Sequence, residues 1–118
     1  MKIPGPDHPI AIEPHLGHLR VIRDGVTIVD TEQALVLKES TYPAVFYVPR
    51  QDADMSRLVA TTRSSHCPYK GDASYFSIAA GSSPAANAVW SYEQPYPAMA
   101  QIAGHLAFYP DAVIFEKE

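Results

Sequence analysis

The sequence predicts a mainly β domain, an antiparallel sandwich or open barrel with one or two short helices. Three observations carry this. Short apolar runs rich in β-branched and aromatic residues recur along the chain, with turn signals every eight to twelve residues. Eleven prolines and seven tyrosines in 118 residues favour strands, turns and extended segments over long helices. Asp24-Gly25 sits between two β-branched runs, the signature of a two-residue type I′ hairpin, whose turn positions both need φ > 0.

Residues 1–18 hold Pro4, Pro6, Pro9 and Pro14 together with His8, His15 and His18. Proline this dense excludes regular helix and central strand. These residues read as an extended N-terminal arm, with residues 19–118 as a single β domain. Ile10 and Ile12 alternate, which allows a short edge pairing.

Leu19-Arg20-Val21-Ile22-Arg23 and Val26-Thr27-Ile28-Val29 form the predicted hairpin, and residues 34–39 a third strand ending in Glu39. Thr41-Tyr42-Pro43 breaks the chain before Val45-Phe46-Tyr47-Val48, which Pro49 ends. Residues 52–59 open with Asp52 and place Met55, Leu58 and Val59 on one side, predicting an N-capped helix of one or two turns. Residues 61–65 form a short strand leading into Ser65-His66-Cys67-Pro68-Tyr69-Lys70-Gly71, and residues 73–79 a strong one. Gly81-Ser82-Ser83-Pro84 is a loop, and residues 88–92 a strand. Residues 98–103 make a short helix, with Pro97 near its first position and Gly104 beyond its end. Residues 106–109 and 113–115 close the domain.

Formal net charge is −4, without a basic stripe, so nucleic acid is not an expected partner. A single cysteine cannot form an intramolecular disulfide and suits a reducing cytoplasm. The N-terminus lacks the apolar region of a signal peptide, and no apolar run is long enough to span a bilayer, so no membrane partner is expected. No cofactor is implied.

The chemistry concentrates at Cys67-Pro68-Tyr69-Lys70-Gly71. With Pro68 at position i+1 of a β-turn, the Cα atoms of Cys67 and Lys70 close to within about 7 Å. A lysine ammonium near a thiol favours the thiolate. The plainer reading is a tight turn with a small packed thiol, since structural buried cysteines are inert. His66 points to the opposite face in extended chain, and no Asn or Asp is obviously placed to orient it.

Taken in order, the Gly-containing hairpin, Glu39, Phe46-Tyr47-Val48-Pro49, Asp52, Cys67-Pro68-Tyr69-Lys70-Gly71, Tyr75, Trp90-Ser91-Tyr92, Pro95, Ile102-Ala103-Gly104 and Phe108-Tyr109 form a pattern. From about Leu19 to Phe115 it resembles the DUF-427 family, small domains of unknown function found largely in bacteria and sometimes labelled nucleotidyltransferase-like. The resemblance implies two antiparallel sheets leaning together, a β-tent. Nucleotidyltransferases of the polymerase-β kind resemble one another in a Gly-Ser loop followed by an Asp-x-Asp pair. Here Asp52-Ala53-Asp54 precedes Gly81-Ser82, and carboxylates in a first helical turn diverge rather than flank metals about 4 Å apart.

The matching positions predict a ligand cleft lined by Tyr47, Asp52, Tyr69, Lys70, Tyr75, Trp90 and Tyr92, with Cys67, Lys70 and Glu39 as candidate catalytic groups. Trp90 and Tyr92 share a strand face. The preferred function is binding of a small, perhaps anionic, ligand. The alternatives are a hydrolase or transferase using Cys67, and an interaction module that dimerises through its arm and sheet edges. His8, His15 and His18 match no metal spacing, and no metal site is assigned to them.

Overall fold

The computed structural model describes residues 1–81 and 83–118; Ser82, in the expected loop 81–84 and in the Gly-Ser pair, lies outside the described residues. Among the described residues ten strands form three antiparallel sheets. The first joins β1 (Ile10–Pro14), β4 (Leu35–Glu39) and β5 (Val45–Tyr47) in the order β1-β4-β5. The second joins β2 (Leu19–Arg23), β3 (Val26–Thr31) and β10 (Ile114–Lys117) in the order β10-β2-β3. The third joins β6 (Leu58–Cys67), β7 (Gly71–Ile78), β8 (Ala85–Ser91) and β9 (Ala107–Phe108) in chain order. A bridge between Val48 and Leu106 links the first sheet to the edge of the third. The molecule is therefore mainly β and antiparallel, as the sequence predicts, with none of the sheets closed into a barrel.

Turn chemistry accounts for the connections. Asp24 and Gly25 have φ of 48° and 77°, as a type I′ turn requires. In β3, Ile28 is an extra residue between the Ile22–Thr27 and Val21–Val29 pairs. This bulge puts Ile28 and Val29, neighbours in sequence, both into the core. Between β6 and β7, Cys67 pairs with Gly71, whose φ of 111° lets the chain leave the Pro68-Tyr69-Lys70 turn. Within the arm, the alternation of Ile10 and Ile12 does become a pairing: β1 is an edge strand on β4, where Pro14 costs no interior ladder bond.

The helix expected over residues 52–59 is different. Two 3-10 turns, Arg50–Asp52 and Met55–Arg57, take its place, and the cap is Asp54, which accepts from the Ser56 N–H, rather than Asp52. Leu58 and Val59 already belong to β6, paired with Ile78 and Ser77. Pairing with a whole strand outweighs the propensity of so short a helical segment. Pro97–Ile102 is helical where expected, but of 3-10 type, with Pro97 at its start and Gly104 (φ 69°) beyond it.

The third sheet has two buried faces. Ile78, Val89 and Phe108 point to a core shared with Leu19, Val21 and Val29 of the second sheet. Ala73, Tyr75 and Ala107 point the other way, to a core shared with Leu37 and Tyr47 of the first sheet. Strand alternation alone separates the two sets. The second core is rich in tyrosine, and the candidate site lies in it.

Candidate functional site

Three pairs of residues two apart on strands bring the site together. Leu37 and Glu39 of β4, Val45 and Tyr47 of β5, and Trp90 with Tyr92 at the end of β8 all line one cavity of about 260 Å³. Lys70 enters from the β6–β7 turn, and Tyr75 from β7. Tyr42, Pro43 and Tyr109 complete the wall. Five of these wall residues are not in the cleft the sequence predicts: Leu37 and Val45 read as ordinary strand residues, Tyr42-Pro43 as a strand break, and Tyr109 as the tail of a closing strand.

Glu39 and Lys70 are the charged pair of this cavity. Lys70 is 6 % exposed, and its Nζ donates to Glu39 Oε1 at 2.5 Å. Glu39 Oε2 accepts from His8 Nε2 at 2.8 Å. Burial pushes the Glu39 carboxyl up, but the hydrogen bonds from Lys70 and His8 outweigh it and hold the group below the usual carboxylate range. Both carboxylate oxygens are thus occupied. Lys70 also donates a weak bond to Cys67 Sγ at 3.6 Å, and its Nζ lies 6.0 Å from the centre of the Tyr92 ring. One of its three N–H donors remains.

The phenols add donors. Burial drives the Tyr47 and Tyr92 hydroxyls far above their ordinary value near 10, so both stay protonated at neutral pH. Tyr47 O accepts from the Trp90 indole N–H at 3.3 Å, which leaves the Tyr47 proton to be donated. Trp90 stands edge-on to Tyr47 and packs against Tyr109, with ring centres 6.5 and 4.7 Å away. Tyr75 shares a hydrogen bond with Ser65 Oγ at 2.8 Å.

Among the candidate residues, then, Glu39, Tyr47, Lys70, Tyr75, Trp90 and Tyr92 meet in one place. Cys67 lies beside Lys70, half-buried, behind the cavity wall. Tyr69 faces away and stacks flat on His8, ring centres 4.1 Å apart. Asp52 is remote: it accepts from Thr31 Oγ1 at 2.7 Å, near His18 and Asp30. His66 has an aspartate after all, since Asp72 is its cross-strand partner and accepts from Nδ1 at 2.7 Å. That pair is exposed and on the opposite face from Cys67. Arg50, at the start of the 3-10 turn that ends at Asp52, donates to Glu93, Ser91 Oγ and the Gly104 carbonyl.

The three arm histidines go to three places: His8 to Glu39, His15 edge-on to Phe46, and His18 to Asp30. Among the described residues no three His, Cys, Asp or Glu side chains converge as a metal site would require. Asp52 and Asp54 are spent on Thr31 and Ser56, so they do not form the paired carboxylates of two-metal chemistry. No helix among the described residues is long and apolar enough to cross a membrane.

Among curated proteins, none matches the chain. A family profile described as a domain of unknown function, DUF427, matches residues 11–118, which includes β1 from Ala11 onward and every residue of the cavity. The chain therefore belongs to the DUF427 family.

Proposed function

We propose that this domain binds a small molecule through an anionic, acceptor-rich headgroup in the Glu39–Lys70 cavity. The carrying observation is the convergence of unspent donors, from Lys70, Tyr47 and Tyr92, in an aromatic-walled cavity whose one carboxylate already accepts a hydrogen bond on each oxygen. A low-dielectric site of this kind strengthens a charge-assisted bond to a carboxylate or phosphate oxygen. A volume of about 260 Å³ suits a headgroup or a metabolite of few atoms, at the small end of ligand sites.

The cysteine-enzyme reading has less support. Cys67 is half-buried and does not line the cavity, His66 points away from it, and Glu39 already accepts from two donors. A single thiol near an ammonium is compatible with a reducing cytoplasm, where the protein is proposed to act.

Thermal denaturation against carboxylates, sugar phosphates and nucleotides tests the binding reading. A probe at 100 times its Kd adds about 2.7 kcal/mol. The expected result is stabilisation by at least one carboxylate or phosphate that Tyr92→Phe weakens. Stabilisation that Tyr92→Phe and Lys70→Met both leave intact, or none by any probe, overturns the proposal.

A further inference from the structure

A second hollow lies beside the cavity. A groove of about 450 Å³ shares Tyr42, Pro43, Val45 and Trp90 with it, so the two adjoin across a common wall that includes Trp90. Their chemistry differs sharply. The cavity carries Glu39, Lys70 and phenols. The groove adds Phe46, Phe108, Pro110 and Phe115 and has no charged side chain on its wall. Tyr42 supplies its one side-chain hydroxyl. Trp90 occupies the junction, its N–H turned to Tyr47 on the polar side and its ring shared by both hollows.

We infer that the ligand is amphipathic: a monocarboxylate whose headgroup meets Lys70, Tyr47 and Tyr92, and whose aliphatic tail runs past Trp90 into the Phe46–Phe108–Phe115 groove. This rests on the headgroup reading above and adds the tail. A bare headgroup would leave the groove's apolar wall in water. A wholly apolar ligand would give no acceptor to the remaining Lys70 N–H or to the Tyr47 and Tyr92 hydroxyls, which is costly in a low-dielectric site. One molecule with a polar end and an apolar end satisfies both hollows, and their shared wall sets the order of its parts.

Trp90, the chain's single tryptophan, reports on both sides of the junction. Its fluorescence is titrated with acetate, butanoate, hexanoate and octanoate, and with 1-octanol as the headless control. The expected series tightens about threefold to fourfold per methylene, the gain for burying a CH₂, until the groove is filled. Octanol binds at least tenfold more weakly than octanoate. Phe115→Ala flattens the series. Because Phe115 also packs against the core, Ala44→Trp at the exposed groove rim is the second variant, and it truncates the series while sparing acetate.

Equal affinities for acetate and octanoate overturn the tail assignment and leave the headgroup reading standing. Octanol binding as tightly as octanoate overturns the headgroup reading. No binding by any of the acids overturns the amphipathic monocarboxylate, and the headgroup reading falls with it if sugar phosphates and nucleotides also fail to stabilise the protein. A dimer closed over Phe115, seen by sedimentation and unaffected by octanoate, gives the groove to a second copy and also overturns the tail.

Discussion

Two clusters in this molecule use the same kinds of side chain. In one, Glu39 sits between His8 and Lys70; in the other, Asp30 sits between His18 and Arg20. Their surroundings differ. The Lys70 and Glu39 side chains are 8 % and 16 % exposed, whereas those of Arg20 and Asp30 are 29 % and 50 % exposed. Both carboxyls are held below their usual range, by opposite balances. Asp30 is lowered chiefly by its bond to His18, which outweighs the upward push of desolvation. For Glu39 burial is the largest influence and pushes upward, and two donors must overcome it. What separates the two is water: the fold removes it from the Glu39 pair and leaves it around the Asp30 pair.

The largest test of that contrast removes the cation. Lys70→Met strands a buried carboxylate, and the expected loss in urea denaturation is about 3 kcal/mol, the low end for a broken buried pair because His8 remains. Adding Glu39→Gln to Lys70→Met recovers much of it. Arg20→Met, at the exposed cluster, barely moves the midpoint. Equal losses at the two sites would erase the distinction.

The turns give a smaller contrast. Gly71, at φ 111°, lies where L side chains are strained, and Gly71→Ala is expected to cost about 1–3 kcal/mol. Gly25 occupies a hairpin position that Asn also tolerates, so Gly25→Asn is expected to be nearly neutral. Only the first change should disturb ligand binding, because only that turn carries Lys70.

Glu39 and His18 titrate with opposite sign. The Glu39 carboxyl is lowered in the folded state, so its contribution is full above the unfolded carboxylate value and is lost as pH falls through the folded one. Glu39→Gln therefore flattens the acid limb of stability against pH. His18 is raised from 6.5, chiefly by its bond to Asp30. Its contribution is full below 6.5 and is lost as pH rises through the raised value. His18→Gln flattens that neutral-to-alkaline step. The smallest effect is salt: raising ionic strength to 1 M, where the Debye length is about 3 Å, weakens the His18 step and leaves the Glu39 limb nearly unchanged.

How much of this was readable from the residues follows from chain separation. Period two placed Trp90 with Tyr92 on one face, and Asp24-Gly25 and Pro68 located their turns without tertiary help. Other partnerships depend on register or on distant strands. His8 meets Glu39 across 31 positions, and Asp52 meets Thr31 across 21, so neither partnership has a local signature. Tyr69 lies inside the most distinctive motif, yet a turn residue can face either way, and here it meets the arm. Asp72 was within reach: closing the turn with Cys67 opposite Gly71 puts His66 opposite Asp72. The helix expected over residues 52–59 failed because Leu58 and Val59 gain more from pairing with β7.

The central claim is that the buried cluster, and not its exposed counterpart, receives the ligand. Backbone and indole N–H signals followed by NMR during titration with hexanoate test it most directly. Saturable shifts at the Trp90 indole, Glu39 and Lys70, with Asp30 and Asp52 unmoved, are the predicted result. Saturable shifts centred on Asp30 and Asp52, with the Trp90 indole signal still, would contradict the account.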